Sequence, residues 1–149
     1  MSAATPHPRQ ALIASWLAQL IGTVALAAVV LAFVKATGTT PAAGDTEWNR
    51  YALYAILLST APALVYLRAF KARLDADDCA LRARGEFADP ALRKRLKRSL
   101  SVGGALCEIP QALGLFSLLI EGQTRWFIFG SLLTIAIRLS YRPFTRLSR

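Results

Sequence analysis

The chain has 149 residues, of which 54% are hydrophobic, with a formal net charge of +9 and only two cysteines and one histidine. With no CxxC pair and no cluster of ligand-type side chains, that composition supports neither a disulfide framework nor a metal site. The positive charge does not point to nucleic acid, because the basic residues gather where apolar segments end and no zinc, RNA-recognition or helix-turn-helix pattern surrounds them.

Four apolar runs dominate, at about residues 11–34, 51–67, 99–120 and 125–141. A bilayer core of about 30 Å takes roughly 20 helical residues, so each run predicts a spanning helix. The expected class is all-α: a polytopic membrane protein of one domain, residues 1–149, with four transmembrane helices arranged as two helical hairpins. The first run follows Arg9 as a secretory signal would, but its apolar character continues unbroken to Val34, so an uncleaved span is expected. Ala14, Ala18 and Gly22 repeat at four-residue spacing in this run, a small-residue face suited to close helix approach.

The second run ends at Arg68, and an Ala- and Arg-rich stretch to Arg84 favours continuing the helix beyond the membrane surface. Gly85 is a natural stop, and Asp89-Pro90 supplies an N-cap followed by proline at the first helical position. Residues 68–98 therefore predict a helical hairpin, with Phe70, Leu74 and Leu81 set against Leu92, Leu96 and Leu100. Asp75, Asp77 and Asp78 then fall beside Lys97 and Arg98. Arg93, Lys94, Arg95, Lys97 and Arg98 form the densest basic cluster, suited to anionic lipid headgroups. Ordinary topology signalling accounts for the same cluster.

Ten of the 18 Lys and Arg residues lie between Arg68 and Arg98, whereas the stretches 35–50 and 121–125 each balance to zero. The positive-inside rule then places the middle hairpin and both termini in the cytoplasm. The Arg and Ala bias suits a bacterium, and so the expected location is a bacterial plasma (inner) membrane. Trp16, Trp48, Tyr51 and Trp126 sit mostly near run ends, where interfacial anchors belong. The two halves also echo each other faintly, Arg50-Tyr51 through Tyr66 matching Arg125-Trp126 through Tyr141 at an offset of 75.

The third run carries one charge, Glu108, and the fourth, from Trp126 to Tyr141, carries one, Arg138; an ionisable residue inside a span is a candidate functional site. Glu108 stands 13 residues before Glu121 and Arg138 stands 13 after Arg125, so both lie about 20 Å from the turn that joins them. Equal depth allows an ion pair, but counting leaves the facing of the helices open, and Arg138 could instead snorkel to the headgroups. Gln19, Gln111 and Thr60 reach a similar depth and complete a candidate polar layer. Gly103, Gly104 and Cys107 form a second small-residue face. Pro62 and Pro110 each remove a backbone hydrogen bond near that level.

Ala105-Leu106-Cys107-Glu108 followed by Gly114-Leu115 resembles the carboxylate-bearing helix of the membrane ring (c) subunit of rotary ATP synthases. That resemblance covers about eleven positions and implies one role, Glu108 as an ion-binding carboxylate. The whole chain resembles uncharacterised four-pass bacterial membrane proteins, which implies no activity. No nucleophile with a base, cofactor motif or phosphate-binding glycine loop is present, so no enzyme and no cofactor is expected. The expected function is association, as a homo-oligomer or as an accessory subunit of a membrane complex, with the cytoplasmic hairpin as docking surface and the lipid bilayer and its anionic headgroups as surroundings. The alternative is a proton or cation pathway using Glu108.

Overall fold

Long stretches of Ala, Leu and other good helix formers, interrupted by proline only at positions 62 and 110, give four helices and no strand among the described residues. The computed structural model describes residues 8–38, 46–84 and 90–142. Helix α1 is Pro8–Thr37, α2 Thr46–Arg84, α3 Pro90–Glu121 and α4 Thr124–Ser140. Helices α2 and α3 continue through Pro62 and Pro110, and both run well past their apolar segments, as the Ala- and Arg-rich stretch predicts.

Glycines close two of the helices where a left-handed residue is needed. Gly38 has φ 63° and follows α1; Gly122 has φ 69° and donates its N–H to the Leu118 carbonyl at 2.9 Å. That second cap lets α4 begin two residues later, at the turn expected between Glu121 and Arg125.

Three helices are long and apolar enough to cross a membrane, over Leu12–Thr37, Glu47–Asp75 and Lys94–Glu121. Helix α4 has 17 residues and spans about 26 Å, slightly less than a bilayer core.

The helices alternate in direction. Arg138 of α4 meets Gly104 and Glu108 of α3, while further along Gly114 approaches Trp126, so α3 and α4 are antiparallel. Tyr66 of α2 meets Ser99 of α3, while Asn49 of α2 meets Trp126 of α4. Helix α3 is central: its broadest packing is against α4 and then α2, and α1 lies against α4 and α3. Among the described residues α1 and α2 make no close backbone approach. The chain thus pairs its last two helices tightly and sets the first two on either side, so the halves that echo each other in sequence are not packed alike.

Packing between α3 and α4 depends on two glycines. A β-carbon at Gly130 would overlap the Pro110 carbonyl oxygen, and one at Gly114 would come within 2.8 Å of the Phe127 α-carbon. Both neighbours are backbone, which cannot swing aside, so the helices touch main chain to main chain. Gly22 has nothing within 4 Å of its added β-carbon, and Ala14 and Ala18 are exposed. The small-residue face of α1 is therefore open among the described residues, while Gly103, Gly104 and Cys107 of α3 are buried.

The buried cluster joins Trp16, Ala63, Phe70, Leu100, Cys107, Ile137 and Tyr141, with Leu74 packed against it. Phe70, Leu96 and Leu100 are thus buried and Leu74 is half-buried against them. The facing of Leu81 and Leu92 and the side chains of Asp77, Asp78, Cys79 and Arg93 lie outside the described residues.

Candidate functional site

The inward stripe of α1 is set by Leu12, Trp16 and Thr23, all buried, with Gln19 half-buried between them. Spacings of four, three and four put these residues on one helical face, and three of the four can form hydrogen bonds through their side chains. They meet Arg138, which is only 2% exposed although it lies in the last turn of α4.

The Arg138 guanidinium donates to the Gln19 carbonyl and the Thr23 hydroxyl on α1, and to the Gly104 carbonyl on α3 at 3.0 Å. It also donates to Glu108 Oε1 at 2.9 Å, which makes the ion pair that equal depth allows. Arg138 does not snorkel. One side chain therefore ties α1 and α3 to α4 through its two terminal nitrogens, Nη1 to α1 and Nη2 to α3, while its buried Nε has no partner among the described residues.

Gly104 makes the space for this arrangement, since a β-carbon there would sit 2.5 Å from Gln19 Oε1 and 3.3 Å from Arg138 Nη2. Two further bonds hold the layer: the Trp16 indole donates to the Arg138 carbonyl at 3.0 Å, and Gln111 Nε2 donates to the Thr23 carbonyl at 3.3 Å. Trp16 is thus part of the core and not an interfacial anchor, a correction to the reading from its position near a run end. Tyr141 attaches α2 to the same level by donating to the Ala63 carbonyl, and its ring stacks at a tilt on Phe70, 5.4 Å between centroids.

Of the expected layer, the structure brings together Glu108, Arg138, Gln111 and Gln19, the last through its backbone carbonyl. Thr60 does not join them; its hydroxyl donates to the Leu57 carbonyl of its own helix at 2.7 Å. Sequence reasoning missed Trp16, Thr23, Gly104 and Tyr141 as members of this layer. Thr23 and Trp16 were legible from their spacing with Gln19, whereas Gly104 and Tyr141 carry no comparable signal.

The ion pair is lopsided. Arg138 is enclosed, but the Glu108 side chain is 59% exposed, halfway along α3. Ala105, Ile109, Ala112 and Phe116 are exposed on the same face, so a carboxylate stands at the centre of an otherwise apolar strip. At the opposite end of the bundle Asn49 Oδ1 accepts from the Arg125 guanidinium and, at 3.1 Å, from the Trp126 indole. Gln123 accepts from Arg125 Nε and donates to Glu121, both at 3.0 Å, which fixes the α3–α4 turn.

Lys94, Arg95, Lys97 and Arg98 are exposed on α3 below its apolar segment. Among the described residues no group of three His, Cys, Asp or Glu side chains converges to hold a metal ion. No protein-family model matches the chain, and no curated protein or solved structure is significantly similar to it.

Proposed function

We propose that this chain is an integral membrane protein of the bacterial inner membrane that acts by association, as a homo-oligomer or as an accessory subunit, through the face of α3 that carries Glu108. The observation that carries this reading is the open carboxylate. A charge placed in the middle of an apolar helix face is costly against hydrocarbon, and its ordinary remedy is a polar partner supplied by a neighbouring helix. Arg138 satisfies one oxygen from inside the bundle and leaves the rest of the carboxylate turned outward. The buried layer behind it holds the carboxylate at a fixed position, as a docking contact requires.

All four helices cross the bilayer in this reading. Helix α4 reaches across by placing the Arg125 and Trp126 pair in one headgroup region and Arg142 in the other. The charge asymmetry supports a cytoplasmic side for both termini and the 68–98 segment in this reading.

Photo-crosslinking in native membranes tests the association. A photoreactive residue at Ala112, one turn from Glu108, is expected to give discrete protein adducts, and one at Val29, 66% exposed on α1, is expected to give none. An adduct of twice the chain mass identifies a homo-oligomer, and an adduct containing a second protein identifies an accessory role. Equal labelling at the two sites, or lipid adducts alone at Ala112, overturns the proposal.

The open carboxylate also favours one second reading, a proton or cation pathway along the Glu108 face. A carried ion would compete with the Arg138 guanidinium for the same carboxylate. That reading requires Glu108→Gln to abolish flux in liposomes without disturbing assembly; flux unaffected by the substitution removes it.

A further inference from the structure

Where α2 and α3 pass from apolar to charged sequence, they leave a groove of about 500 Å³ between them. Arg73 of α2 and Arg95 and Arg98 of α3 line its charged side, and Tyr66, Ser99 and Val102 line its apolar side. We infer that this groove binds the phosphate headgroup of an anionic phospholipid, an inference that rests on the membrane reading above.

Three observations converge on that ligand. The first is charge: among the described residues the lining contributes three guanidinium groups and no carboxylate. Guanidinium forks from two helices suit a phosphate, whose oxygens accept paired N–H bonds in the geometry arginine presents. The spacing of Arg95 and Arg98 puts both on one face of α3, aimed at the side from which Arg73 comes.

The second observation is a hydroxyl pair on the apolar side of the groove. Tyr66 Oη and Ser99 Oγ lie 3.0 Å apart in a hydrogen bond. Whichever hydroxyl donates, the other keeps its own proton, so the pair offers one further donor to a ligand. Ser99 is buried and Tyr66 is half-buried, and that donor is therefore held in place.

The third observation is position, and it separates a lipid from a free phosphate. The apolar segment of α2 ends at Leu67 and that of α3 begins at Ser99, so the groove straddles the polar boundary on both helices. Val102, 40% exposed, continues its lining toward the apolar side. A phospholipid needs that combination, a cationic cradle for its phosphate directly beside an apolar surface for its glycerol and acyl chains. A soluble phosphate gains nothing from the apolar part.

Lys94 and Lys97 are exposed on the same helix and do not line the groove, which provides a control for general electrostatics. The test uses the full chain in a zwitterionic detergent, titrated with phosphatidylglycerol, phosphatidylcholine or inorganic phosphate and read by native mass spectrometry. Saturable binding of phosphatidylglycerol is expected. Arg95→Gln with Arg98→Gln should weaken it roughly tenfold or more, the loss expected for hydrogen bonds between charged groups. Lys94→Gln with Lys97→Gln, which removes the same net charge, should leave the affinity within about threefold, the scale of an exposed charge near a headgroup.

Equal losses in the two double variants would overturn the site in favour of a diffuse surface charge. Equal binding of phosphatidylcholine would overturn the role of the anion, and displacement by inorganic phosphate at matching concentration would overturn the lipid. Both arginines are exposed, so their replacement leaves the fold intact. The Ala112 cross-link read in the same variants separates the two proposals: lipid binding lost with the cross-link retained supports the groove, and a cross-link absent from the parent protein overturns the association reading alone.

Discussion

Replacing Arg138 by methionine, an unbranched apolar side chain of similar reach, removes the guanidinium bonds from α4 to α1 and α3 without leaving a large void. Four interhelical hydrogen bonds disappear, to Gln19, Thr23, Gly104 and Glu108. At about 0.6 kcal/mol for an average interhelical bond in a membrane bundle, their loss amounts to about 2.4 kcal/mol. Relief from burying a guanidinium lowers that figure and the stranded Glu108 carboxylate raises it, so a loss of about 2–3 kcal/mol is expected. Glu108→Gln is different. The amide oxygen still accepts from Arg138, the side chain is 59% exposed, and one bond of four is weakened, for a loss of about 0.5 kcal/mol. The double variant should be more stable than Arg138→Met alone, because it no longer strands a charge. Reversible unfolding in mixed detergent micelles measures all three. Equal losses for the two single variants, or an Arg138→Met protein within about 0.5 kcal/mol of the parent, would refute the view that Arg138 organises the bundle.

Gly130→Ala should destabilise by about 1–3 kcal/mol, since its β-carbon would strike the Pro110 carbonyl, whereas Gly22→Ala should be neutral or stabilise by up to about 1 kcal/mol; thermal unfolding compares them. The Thr134 hydroxyl is fully buried with no partner among the described residues, so Thr134→Val should stabilise by about 1 kcal/mol in the same measurement. Tyr141→Phe removes the bond to the Ala63 carbonyl but keeps the ring on Phe70, and a loss of about 1 kcal/mol is expected from denaturant midpoints.

The elements were legible because apolar length and helix-stopping residues are local properties: Pro90 opens α3, and Gly122 ends it where the turn was expected. The depth of Glu108 and Arg138 was equally legible, since counting from one turn needs only the helical rise. Facing was harder to read. In a span that is apolar all round, hydrophobicity gives no direction, and only polar residues mark the inward side. The series Leu12, Trp16, Gln19 and Thr23 carried that mark on α1, yet the adjacent series Ala14, Ala18 and Gly22 suggested a different face, which the chain leaves open. Trp16 was misplaced because position near a run end argues for the interface, while its indole is drawn inward by the Arg138 carbonyl. That α1 and α2 make no close backbone approach among the described residues was not legible at all. It follows from α3 and α4 packing main chain to main chain at Gly114 and Gly130, a tertiary preference that leaves the first two helices to opposite flanks.

Native mass spectrometry of the protein extracted from its own membranes in mild detergent, with Glu108→Leu measured beside the parent, tests the association through α3 most directly. A parent assembly heavier than one chain, formed with further copies or with a second protein, is expected, and a Glu108→Leu protein at the mass of one chain. A parent that flies as a single chain, or an assembly that Glu108→Leu leaves unchanged, would contradict that association.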